Sequence, residues 1–274
     1  MGLMIDIFLD PFQYSFMVRA LIASVMVGIM CPLLGSFVIN REMGFMSDAL
    51  AHAVMPGMVA AYAIGVSPLF GAAPNAILVA LLIGYLVRKT NVSTDTSVGI
   101  LFATLFSVGM LVVYLVGGIA VSIEEILLGQ VLSTSSSDVY LTVSATAILS
   151  VFMVVFYKRF IFIGFDFQGA VVSGVPAQKL DYLMLVLISV VIVLALQVVG
   201  VILVVGMLIT PAAAASLIAK KFDNVVILAI VFGVISALGG LYLSYYLNLP
   251  SGPSIALFSS GIFGIGFIKK IISK

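Results

Sequence analysis

The sequence predicts an all-α, polytopic membrane protein with eight or nine transmembrane spans. Of its 274 residues, 63% are hydrophobic and 8% are charged, whereas soluble domains are about half apolar and about a quarter charged. The apolar residues gather in runs of about 20, the length that crosses roughly 30 Å of hydrocarbon at about 1.5 Å per residue. The twelve cations are kept almost entirely to the breaks between those runs.

Residues 1–15 carry Asp6 and Asp10 but no Lys or Arg, so they lack the positive n-region of a cleavable signal peptide and are expected to remain as an extracytoplasmic interfacial segment. Asp6 stands where a myristoylation signal requires Ser or Thr. Residues 16–270 read as a single transmembrane domain. The first span, 16–38, contains Cys31, the only cysteine, which is read as packing. The second, 47–64, contains Pro56 and Gly57 and is expected to kink just beyond His52, at a depth where a kink implies a cavity. Spans follow at 70–87, 96–117 and 139–157. Between the last two, at 119–138, Glu124 and Glu125 precede Ile126-Leu127-Leu128, a pattern for a short interfacial or re-entrant helix.

The next connection, 158–181, mixes Gly164, Asp166, Gly169, Gly174 and Pro176 with Phe165, Phe167, Val171 and Val172. It reads as a short amphipathic helix on which a soluble partner could dock, because apolar side chains on a water-facing loop need a cover. A plain connector is the alternative. Residues 182–219 then run apolar without a polar loop; one helix of that length would measure roughly 57 Å, nearly twice the hydrocarbon thickness. Gly200, Gly206 and Pro211 are able to break it, giving spans at 182–199 and 200–219. Spans at 225–247 and 254–267 complete the set. With nine crossings, Arg41, Arg88, Lys89, Lys158, Arg159, Lys179, Lys220, Lys221, Lys269, Lys270 and Lys274 share one side and only Arg19 lies near the other. The positive-inside rule makes that side cytoplasmic, with the N-terminus outside and the C-terminus inside.

Ionisable groups within spans are expensive and are by default functional hypotheses. Asp48 and His52, the only histidine, stand out. Their i,i+4 spacing stacks a carboxylate and an imidazole on one helical face, a pairing suited to divalent manganese, iron or zinc rather than to a thiolate-seeking ion. Two ligands are few; a twofold homodimer meeting along this helix would supply two Asp and two His. Capping of the helix by Ser47 or Asp48, or a structural Asp48–His52 pair, are the alternatives. Met43, Met46, Met55 and Met58 surround the pair as packing or as soft thioether contacts. Gln197, Thr210 and Ser216 are interior polar residues that bond neighbouring helices or line a path.

A single histidine excludes an H-E-x-x-H zinc protease, and no G-x-x-x-x-G-K-[ST] phosphate loop is present. The chain is therefore not read as an enzyme, and any ATP hydrolysis must come from a partner. Its net charge of +1 argues against nucleic acid as a ligand.

The segment Ser47-Asp48-Ala49-Leu50-Ala51-His52-Ala53-Val54-Met55-Pro56-Gly57 resembles the signature of the manganese, zinc and iron uptake permeases of the ATP-binding-cassette superfamily. Phe16-Met17-Val18-Arg19-Ala20-Leu21, Gln197-Val198-Val199-Gly200-Val201-Ile202-Leu203 with Thr210-Pro211-Ala212-Ala213, and Pro250-Ser251-Gly252-Pro253 resemble the family elsewhere, so the likeness covers nearly the whole chain. It implies a permease homodimer in a bacterial plasma membrane, two copies of a cytoplasmic ATP-binding subunit, and an extracytoplasmic metal-binding protein that delivers the ion. No cofactor is permanently bound; the transported divalent metal is cargo. The resemblance assigns the metal contacts to Asp48 and His52, and coupling to the ATPase to the segment around Asp166, Gly169, Val172, Gly174 and Pro176. Phe167-Gln168 departs from the Pro-Glu of many relatives. Manganese leads among the three metals on the oxygen-rich character of the pair, with zinc and iron open. Binding requires both ligands deprotonated, so import is expected to weaken once His52 is protonated. A secondary transporter driven by an ion gradient is the alternative from another class, and a purely structural membrane subunit a third.

Overall fold

The computed structural model describes residues 10–90, 92–116 and 131–272, and among them there is no strand. The helices are α1 (Ser15–Asn40), α2 (Met46–Ala53), α3 (Met55–Ala63), α4 (Pro68–Lys89), α5 (Thr94–Val116), α6 (Ser136–Phe165), α7 (Phe167–Val172), α8 (Ala177–Val199), α9 (Val201–Ile218), α10 (Phe222–Leu247) and α11 (Ser251–Ile272). Eight of them, all but α2, α3 and α7, are long and apolar enough to cross a membrane. Short 3-10 turns at Asp10–Gln13 and Val131–Ser133 precede α1 and α6. The helix expected at Glu124–Glu125 with Ile126–Leu128, the first part of the N-terminal segment and Lys274 lie outside the described residues.

Three boundaries differ from the sequence expectation. The span expected at 47–64 with a kink just beyond His52 divides outright there, at Val54, into α2 and α3. The connection expected at 158–181 is narrower, because α6 continues through Lys158 and Arg159 to Phe165 and α8 already begins at Ala177. At 30 residues, α6 is about 45 Å long, more than the hydrocarbon requires, so a pair of cations near its end need not stop it. The third concerns the long apolar run, which breaks at Gly200 alone. There the backbone adopts φ +79° and ψ 168°, a conformation nearly reserved for glycine. Gly206 and Pro211 remain inside continuous α9, Pro211 buried; the expected break at Pro211 does not occur, since in lipid a proline forfeits one helical hydrogen bond without ending the helix when neighbours pack around it.

The chain forms two compact units. One groups residues 10–36, 131–150 and 198–272, and α9, α10 and α11 pack on one another within it. Small residues let backbones touch: a Cβ added at Gly35 would lie 1.7 Å from the Leu208 carbonyl oxygen, and one at Gly240 2.3 Å from the Ile255 Cα. Lipid supplies no hydrophobic force between helices, so such close approach carries the packing. Cys31 is buried and free. The other unit groups residues 37–116 and 151–197. Phe37 meets Phe160 and Tyr157 edge-on there, and Val54, Ala72, Ala76 and Val193 form a buried cluster. Large apolar side chains point outward, Tyr114 at 83% and Val154 at 79% exposure, as expected where the solvent is hydrocarbon.

Candidate functional site

α1 ends in a tight turn in which Met43 N–H donates to the Val38 carbonyl and Glu42 takes φ +56°. Phe45 then opens α2 without any side-chain cap, and the Ser47 hydroxyl instead donates to the Gly44 carbonyl at 3.3 Å. Neither Ser47 nor Asp48 caps the helix, so that alternative is removed.

Six of the eight residues of α2 are buried: Met46, Ser47, Ala49, Leu50, Ala51 and Ala53. The two that are not are Asp48 and His52, whose side chains are 41% and 25% exposed. The helix thus presents its only ionisable groups on its one open side. His52 Nε2 lies 3.7 Å from Asp48 Oδ1, too far for a hydrogen bond but close enough for both to turn toward one cation. Phe102 and Phe106 of α5 stand at 5.7 Å from the imidazole, at interplanar angles of 63° and 86°, and stack on each other. These rings form an apolar wall that fixes the imidazole plane. Among the described residues no group of three or more His, Cys, Asp or Glu converges; here the carboxylate and the imidazole stand as a pair.

The break beneath the pair has its own construction. Pro56 at the start of α3 has no N–H to give to the His52 carbonyl four residues back, and at the same interruption the Ala53 carbonyl accepts from Asn75 Nδ2 of α4 at 2.8 Å. Gly57 and Gly71 bring α3 and α4 into backbone contact: a Cβ at Gly71 would lie 1.9 Å from the Gly57 carbonyl oxygen. Asn75, Phe102 and Phe106 are residues that sequence reasoning missed; the one available signal was a lone amide within an apolar span. Met43 and Met46 are buried and Met58 packs on the Val54 cluster, the packing role. Gln197 lies in the last turn of α8, and the Ser216 hydroxyl donates to the Ala213 carbonyl within α9.

At the other candidate region, Asp166 caps α7 by accepting from Gly169 N–H at 2.7 Å. A Cβ at Gly169 would sit 2.1 Å from Asp166 Oδ2, so a larger residue there would have to displace the capping carboxylate. Ala170 is buried, whereas Val172 is 88% exposed. Gly174 at φ +78° turns the chain back, with Val175 N–H donating to the Ala170 carbonyl, before Pro176 leads into α8.

Residues 13–270 match the ABC 3 transport family. The chain is 40% identical over 255 residues to the manganese transport system membrane protein MntC of Halalkalibacterium halodurans, covering 93% of this chain and 87% of that protein. It is 34% identical over 260 residues to the chelated iron transport system membrane protein YfeC of Yersinia pestis, covering 95% and 88%. Among solved structures, PsaBC from Streptococcus pneumoniae in complex with Fab superposes with a TM-score of 0.83 at 34% identity, covering 95% of this chain and 94% of that one. The eight apolar helices and the match across nearly the full length lead to one conclusion: the chain is a multi-pass membrane protein of the ABC 3 transport family.

Proposed function

We propose that this chain is the membrane-spanning permease of an ATP-driven importer of a divalent transition-metal ion, manganese before iron or zinc. The observation that carries the reading is the placement of Asp48 and His52: an otherwise buried eight-residue helix turns only a carboxylate and an imidazole to its open side. Ionisable groups held at membrane depth mark an ion path, and this pair is a hard-to-borderline donor set that suits manganese, iron or zinc. Two copies facing each other across a twofold axis provide two carboxylates and two imidazoles, enough for a waypoint completed by water. The relatives named for manganese and for iron support the cargo class.

Energy enters from a cytoplasmic ATPase subunit, two copies per permease dimer, docking on α7, whose exposed Val171 and Val172 need a cover. An extracytoplasmic binding protein delivers the ion. In this assembly the C-terminus and α7 face the cytoplasm, following the bias of Lys and Arg. Closure of the ATPase moves α7, the helices around the pair rearrange, and the ion passes Asp48 and His52 inward.

The test is uptake of radioactive manganese into proteoliposomes holding the chain with its ATPase and delivery protein, with zinc and iron as competitors. Uptake should require ATP, persist when ionophores collapse proton and sodium gradients, and yield most strongly to unlabelled manganese. Uptake that ignores ATP and stops with the ionophores would make the protein a secondary transporter.

A further inference from the structure

Asp181, the fifth residue of α8, is gripped by two arginines at once. Arg41 Nη1 donates to Oδ1 and Arg88 Nη2 donates to Oδ2. The three side chains are only 12%, 20% and 19% exposed for Arg41, Arg88 and Asp181, so the cluster is shielded from the water that weakens surface pairs. Each member belongs to a different piece of backbone: Arg41 to the turn that leads into α2, Arg88 to the last turn of α4, Asp181 to α8.

The Arg88 guanidinium also lies over the Tyr182 ring at 4.7 Å and over the Phe167 ring at 5.6 Å. Phe167 is the first residue of α7. A chain of direct contacts therefore runs from α7 through Arg88 and Asp181 to Arg41, seven residues short of Asp48 along the chain. The turn that Arg41 begins is itself strained, with Glu42 at φ +56°, a region that side-chain-bearing residues seldom occupy and that persists where surroundings impose it. A cavity of about 280 Å³, bordered by Arg41, Gly164, Phe167 and Asp181, lies beside the cluster. It leaves these side chains room to shift without a clash.

We propose that Asp181, with Arg41 and Arg88, is a positioning clamp that passes displacement of α7 to the turn carrying α2, and so sets when the open side of Asp48 and His52 changes. This rests on the permease reading above. Arginine serves here where lysine would not, since a flat guanidinium can stack on two rings and still present its edge to a carboxylate.

The experiment is the ratio of manganese imported to ATP hydrolysed in proteoliposomes holding the chain, its ATPase and its delivery protein. It compares wild type with Asp181→Asn, Asp181→Glu and Arg88→Lys. Asp181→Asn should lower the ratio by roughly tenfold while hydrolysis continues; Arg88→Lys, which keeps the charge and loses the stacking, should lower it less; Asp181→Glu should restore most of it. An unchanged ratio in Asp181→Asn overturns the clamp, as does a parallel fall of uptake and hydrolysis, which marks a merely structural prop. If the wild type itself imports nothing with ATP, the permease reading fails instead. The clamp is then decided by hydrogen–deuterium exchange over residues 41–53, which should quicken in Asp181→Asn and contradicts the proposal if it does not.

Discussion

A carbonyl stranded at a helix interruption has to find a donor within the protein, because hydrocarbon offers none. Asn75 meets that need for Ala53, and Asn75→Ala should lower the stability of the detergent-solubilised protein by about 0.6 to 2 kcal/mol, read as a reduced thermal unfolding midpoint. An unchanged midpoint would show that the interruption is paired by another group. Asp48 and His52 were legible in the sequence because a carboxylate and the only histidine are conspicuous among apolar neighbours. The partners that shape their surroundings were not. Phe102 and Phe106 look like any lipid-facing phenylalanines until α5 is laid beside α2, and the pairing of Asp181 with Arg41 joins residues 140 positions apart.

Helices follow from run length and polar breaks, and among the described residues the expected apolar runs are helical but for the interruptions at Val54 and Gly200 and the frayed ends. For the long run 182–219 the sequence named residues able to interrupt it but not which of them would. Gly200 interrupts because its backbone enters a conformation closed to other residues, whereas Pro211 is absorbed into α9. α7 was readable from its mixture of apolar residues and turn formers, and its cap has a specific chemistry. Asp166→Ala removes the acceptor for Gly169 N–H, which should cost about 1 kcal/mol of local helix stability. Val172→Asp leaves the helix intact but puts a charge on its exposed apolar tip. Copurification with the ATPase subunit should fall in both variants and further in Val172→Asp; full retention in Val172→Asp would place the docking surface elsewhere.

At the scale of the whole molecule, glycine contacts such as Gly35 on Leu208 and Gly57 on Gly71 make close-packed helical units in a solvent that drives no hydrophobic collapse. Composition announced the membrane, and the run of residues around Asp48 and His52 pointed to the family that the full-length match establishes. The proposed ion path turns on one pair of side chains, Asp48 and His52. The most direct measurement is ATP-dependent manganese uptake by the reconstituted assembly for wild type, Asp48→Ala and His52→Ala, with ATPase copurification followed in parallel. Both variants should lose uptake by roughly tenfold or more while still binding the ATPase; normal uptake in both would make the pair structural and contradict its role as the ion's waypoint.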